Sequence, residues 1–156
     1  MTLYLAGAAL QSTADGSGAH WSTTPYGRWR LAAESEAMKR FPGFDLHLPE
    51  DGGDLTWAGV LRSTFKRRRR YLVKVTYPDR FPHQAPVVSI QKPALDPAAP
   101  HLLGCNRPCL YRGANGSRNG YDPARTTAAT LVAWTALWIH AYETWKAIGT
   151  WPGSEE

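Results

Sequence analysis

Between Phe44 and Ile90 the chain carries four short runs of strand character. The connections between them are too short for parallel pairing, which needs a crossover of a dozen residues or more, so the runs are expected to pair antiparallel. The clearest run is Tyr71 to Tyr77. Tyr71, Val73, Val75 and Tyr77 fall on one face and Leu72, Lys74 and Thr76 on the other, the period of two that marks a strand buried on one side. Phe44 to Leu48 also alternates. Leu55 to Leu61 follows an Asp51-Gly52-Gly53-Asp54 turn, and Val87 to Ile90 is the fourth run.

Helical patterns lie on either side of these strands. From Gly27 to Phe41, Trp29, Ala33, Ala37 and Phe41 recur every four residues, and Pro42-Gly43 ends the pattern. From Thr126 to Ile148, Leu131, Trp134, Trp138, Tyr142 and Trp145 form a stripe that closes at Gly149 and Pro152. Residues 91 to 125 show little periodicity, are rich in Pro and Gly, and hold both cysteines. An irregular stretch of that length is expected to serve a function. Residues 11 to 24 read as a loose segment, so the folded domain is expected over 25–156, with 1–24 as an extension. The element order predicts an α+β fold: an N-terminal helix, a four-stranded antiparallel meander, a cysteine-bearing loop and a C-terminal helix.

Composition narrows the class. Apolar residues make up 43% of the 156, seven of them Trp, which is ample for one core. No run approaches the length of a membrane span, and Met1 to Leu10 lacks the basic start of a secretory signal, so a cytoplasmic, non-membrane protein is expected. The two cysteines, Cys105 and Cys109, are too few for a disulfide framework, which also favours a reducing compartment. The net charge is +5, but five of the eighteen basic residues sit in one run, Lys66-Arg67-Arg68-Arg69-Arg70, where a hairpin turn would fall. That run is a solvated hairpin tip or a docking surface for an acidic partner. As a nucleic-acid site it would bind with steep salt dependence.

The stretch Tyr77-Pro78-Asp79-Arg80-Phe81-Pro82-His83-Gln84-Ala85-Pro86 resembles the tyrosine-proline, phenylalanine-proline and final-proline pattern that follows the third strand of E2 ubiquitin-conjugating enzymes. The prolines suit a rigid crossing, since each fixes φ and removes a backbone donor. Pro100-His101, Cys109-Leu110 and Tyr121-Asp122-Pro123 follow in the family's order. The end of the chain, from Trp138 to Gly153, is similar to bacterial E2-like proteins of CBASS-type antiphage defence operons. With no room for an E1 domain, the chain resembles the stand-alone type.

The resemblance implies a ubiquitin-conjugating fold and an E2-like acyl transferase. In that reading Cys109 forms a thioester with a protein C-terminus and passes the acyl group to a lysine, without metal, nucleotide or other cofactor. A thiol suits both steps, because its thiolate attacks well and leaves readily. The implied partner is a cyclic-oligonucleotide synthase of the cGAS/DncV-like nucleotidyltransferase type, through its C-terminus, or a ubiquitin-like protein, with an E1-like enzyme upstream. His101 is expected to support the loop, with a general-base role as the alternative. Asp122 is the candidate for orienting the lysine. The family's oxyanion Asn is replaced by Leu103, which leaves Asn106, Asn115 and Asn119 as substitutes.

Cys105 is either a second thiol working with Cys109 or a small packed residue, and a disulfide between the two requires a turn. A packed core thiol is the alternative for Cys109. A zinc site from His83, His101, Cys105 and Cys109 is disfavoured, because Cys-x3-Cys has no second pair behind it. Trp145 and Trp151 are core residues or part of an interface. A non-catalytic E2-like adaptor and a basic nucleic-acid-binding module are the competing readings of the whole chain.

Overall fold

The computed structural model describes residues 20–48, 54–63, 69–111 and 120–153. The elements run in the order expected: helix α1 (Pro25–Met38), strands β1 (Asp45–His47), β2 (Thr56–Arg62), β3 (Arg70–Thr76) and β4 (Val87–Lys92), a short ribbon β5 (Leu102–Leu103) and β6 (Arg107–Pro108), and helix α2 (Ala128–Ile148). The four long strands form one antiparallel sheet in the order β1-β2-β3-β4. The alternation in β3 is realised in full, with Tyr71, Val73, Val75 and Tyr77 all completely buried. Gly59 on β2 faces them, and its missing side chain leaves room for the Phe44 ring, which would lie 2.5 Å from a Cβ there.

Helix α2 crosses the core. Leu131, Val132 and Thr135 are fully buried, and Trp138, Ile139 and Tyr142 nearly so. Each large apolar side chain taken from water contributes about 1.5–3 kcal/mol. The helix starts two residues later than its stripe suggests, because Thr127 is the N-cap and exchanges bonds with Thr130 in a capping box. It ends at Gly149, whose φ of 80° is the left-handed cap that glycine favours.

Helix α1 departs from expectation in extent and in face. It begins at Pro25, with the Thr24 side chain accepting from Gly27 N at 3.0 Å, a cap and first-turn proline that the periodicity does not register. The residues expected to be loose are folded from His20 on: Trp21–Thr23 form a turn of 3₁₀ helix, and Trp21 is 2% exposed against Tyr77 and Phe81. The Trp29, Ala33, Ala37 and Phe41 stripe is not the buried one. Tyr26, Gly27, Arg30, Glu34 and Met38 face inward, while Trp29 is 37% exposed and Ala37 and Phe41 are only partly buried against the core.

Arg30 and Glu34 form a buried polar hub. Arg30 Nε lies 3.3 Å from Glu34 Oε2, and its Nη atoms donate to the carbonyls of Pro123 and Thr126, each at 2.8 Å. Glu34 Oε1 accepts from Tyr77 Oη at 2.7 Å and from the backbone N of Ala128, the first residue of α2, at 2.8 Å. Trp57 Nε1 donates in turn to Tyr77 Oη at 2.8 Å. Burial drives the Glu34 carboxyl above its ordinary range, against the opposing pull of Arg30 and the hydrogen bonds. The hub therefore fixes α1, the sheet and the start of α2 to one another.

The stretch 91–125, expected to be irregular, contains the ribbon. Leu102 pairs with Pro108 and Leu103 with Arg107, around a tip at Gly104-Cys105-Asn106. Cys105 and Asn106 hold φ values of 62° and 57°. Ile90 N donates to Asn106 O at 2.9 Å and ties the ribbon to the outer edge of β4.

Candidate functional site

The proline pattern folds so that its apolar residues and its polar ones part company. Tyr77 and Phe81 enter the core, where Phe81 lies 4.7 Å from the Tyr77 ring and 5.0 Å from the Arg30 guanidinium. Pro82 O accepts from Tyr121 Oη at 2.7 Å, which ties this crossing to the Tyr121-Asp122-Pro123 turn. Arg80, His83 and Gln84 remain exposed. They line a cleft of about 700 Å³ whose other wall includes Leu103, Arg107, Cys109 and Tyr111.

Cys109 is a half-buried free thiol just past β6. Pro108 before it is buried, and Leu110 and Tyr111 after it pack against the core, with the Tyr111 ring 5.9 Å from Trp134. The Cys109 thiol lies 3.6 Å from Tyr111 O. Its backbone N donates to His101 O at 2.8 Å, and Trp138 Nε1 donates to the same carbonyl at 2.9 Å. One oxygen thus joins the segment at Cys109 to the middle of α2. Cys109 also lines a second cleft of about 270 Å³, walled by His101, Trp134, Leu137, Trp138 and Trp151. The sulfur-bearing residue therefore stands where two clefts meet, one polar and cationic, the other aromatic.

The structure sorts the remaining candidates. His101, at φ 55°, supports the loop through its backbone carbonyl, while its ring packs 5.2 Å from Trp151. Trp151 is 8% exposed and belongs to the core, and Trp145 is half-buried. Asp122 does not line either Cys109 cleft: its carboxylate accepts from Ala124 N at 2.9 Å and lies 4.0 Å from Arg125 Nε, so it closes its own turn. Cys105 is exposed at the ribbon tip, and Cys109 lies at its base opposite His101. Both are free thiols, one at the exposed tip and one half-buried at the base. Asn106 is exposed at the same tip, and Asn115 and Asn119 lie outside the described residues. Leu103, at the family's Asn position, forms part of the larger cleft.

Of the basic run, Arg69 and Arg70 are exposed, and Lys66, Arg67 and Arg68 lie outside the described residues. Among the described residues, His83, His101, Cys105 and Cys109 do not assemble as metal ligands, whereas His20, Asp54 and Asp79 place ligand-type atoms within 4.8 Å of one another. No helix among them is long and apolar enough to cross a membrane. Sequence reasoning missed Arg80, Gln84 and Arg107 as cleft residues. The signal available was their position, three polar side chains beside the prolines and the cysteine.

An antiparallel meander, a proline-braced crossing and a cysteine just past a short ribbon strand, clamped to a long helix, form an α+β fold compatible with the E2-like class. The chain belongs to the type II CBASS E2 protein family, whose sequence model matches residues 34–156. No match is found among curated proteins. The family gives the chain an E2-like role in CBASS defence.

Proposed function

We propose that Cys109 carries the acyl group of a protein C-terminus as a thioester and delivers it to an amine. The thiolate adds to the activated carbonyl and expels the group that activated it. An amine then adds to the thioester, its nitrogen loses a proton, and the Cys109 thiolate departs. The observation that carries this reading is the position of Cys109 at the junction of two clefts, with its backbone held by the His101 carbonyl that Trp138 also binds. A thiol held that way keeps its place while one chain approaches from each side. The CBASS family supports a cyclic-oligonucleotide synthase as the protein carried.

Incubating the protein with the candidate partner and its activating enzyme tests the proposal. A thiol-labile adduct on Cys109, absent in Cys109→Ala and replaced by a thiol-resistant oxyester in Cys109→Ser, is the expected result. Conjugation that persists undiminished in Cys109→Ala would overturn it. Cys105→Ser is expected to retain the adduct, because Cys105 lines neither cleft.

A further inference from the structure

The larger Cys109 cleft has a one-sided charge. Arg80, His83 and Arg107 are exposed on its walls, and no described residue lining it carries a carboxylate. Asp79, the nearest acidic residue in sequence, lies instead with His20 and Asp54. Among the described residues, the only side-chain hydrogen bond of Arg107 is a long one from Nε to Gly104 O, 3.4 Å, and no described acid pairs with its charge. The floor of the same cleft is apolar, with Val88, Leu110 and Leu131.

The backbone beside the cleft is shaped for an extended guest. Ile90 uses its outward N–H to bond the ribbon at Asn106. In a strand, residues two apart direct their backbone groups to the same edge, so Val88, which lines the cleft, points its N–H and C=O the same way. A chain laid there continues the sheet edge in line with the ribbon, as in strand addition.

We infer that this cleft receives the acyl donor's C-terminal tail as an extended segment and selects tails that carry acidic side chains just before the reacting residue. The inference rests on the thioester role of Cys109. Carboxylates on the guest meet Arg80 and Arg107, while apolar side chains on the alternate face meet Val88 and Leu131. The acidic positions fall within about five residues of the reacting carbonyl, roughly 17 Å of strand. Partly exposed ion pairs of this kind act on selectivity and on encounter more than on raw affinity, and salt weakens them.

Synthetic peptide benzyl thioesters test this without an activating enzyme. The Cys109 thiolate adds to the peptide carbonyl, the bond to the benzyl sulfur breaks, and benzyl thiol leaves with a proton from solvent. Matched peptides with acidic, uncharged or basic residues at those positions are compared by intact mass over time. The acidic peptide is expected to load about tenfold faster than the uncharged one at low ionic strength, with the difference shrinking at high salt. Arg80→Gln with Arg107→Gln should erase the preference, and Arg80→Glu with Arg107→Glu should reverse it toward the basic peptide. Iodoacetamide alkylation of Cys109 checks that each variant still presents the thiol. Equal loading of all three peptides, or a preference that the arginine variants leave untouched, overturns the inference. Failure of every peptide to load a Cys109 that iodoacetamide modifies overturns the thioester role itself.

Discussion

Two single residues hold the parts of the fold around the cysteine, one at the clamp and one at the hub. Trp138 Nε1 and Cys109 N share the His101 carbonyl, so Trp138→Phe removes one bond while keeping a ring against Tyr142 and Trp151. The expected cost is about 1 kcal/mol in a thermal or denaturant melt, with faster alkylation of Cys109 by iodoacetamide. An unchanged alkylation rate would count against the clamp. Glu34 is the second. Glu34→Ala strips the partner from Tyr77 Oη, Ala128 N and Arg30 at once and is expected to cost on the order of 3 kcal/mol. Glu34→Gln keeps an acceptor and should cost less than half as much. The pH profile separates them further. The folded protein holds the Glu34 proton to a higher pH than the unfolded chain, whose ordinary value is 4.5. The contribution of Glu34 is therefore most favourable below 4.5 and declines as pH rises from there through the raised folded value. Glu34→Gln should flatten that decline in denaturant titrations run at several pH values. Neither residue's part was legible in the sequence. A backbone carbonyl carries the clamp, whatever side chain position 101 bears, and Glu34 looked like one more polar residue on a helix.

At the scale of elements, β3 and the meander were legible because alternation and short connections leave little choice. The stripe of α2 was legible in the same way. Helix α1 was misread for a physical reason. Its inward face carries Arg30 and Glu34, so the apolar pattern points elsewhere, toward Trp29 and Ala37. The ribbon was hidden by the positive φ at Cys105, a residue that does not advertise a turn, and by Pro108 inside a two-residue strand. Close packing between elements gives a sharp prediction at Gly59. A methyl there would meet three atoms of the Phe44 ring between 2.5 and 2.8 Å away, so Gly59→Ala should destabilise by about 1–3 kcal/mol. Gly59→Ala paired with Phe44→Leu should recover part of the loss, and a melt of both variants checks it. No recovery would mean that the strand backbone, not the ring, is what the methyl displaces.

Across the whole molecule, the Arg30–Glu34 hub binds both helices and the sheet, so unfolding is expected to be one cooperative transition. Tryptophan fluorescence and far-ultraviolet circular dichroism should give coincident denaturation curves. Curves that separate would show that the hub does not join the helices and the sheet into one cooperative unit. The same connectivity explains how the candidate site is assembled from parts distant in sequence. The proline crossing at 77–86, the ribbon at 102–108 and α2 meet around Cys109, and the cysteine could be named from its motif while its two clefts could not. Clefts are shaped by tertiary placement, which residue spacing does not encode.

The shared carbonyl of His101 has one more consequence. On the thioester role proposed above, a displacement of the segment at Cys109 on loading would also change the hydrogen bond at the Trp138 indole, whose emission is sensitive to that bond. The proposed role thus implies an optical gauge of occupancy: the difference in emission between the native chain and Trp138→Phe should follow loading in real time, with no label attached.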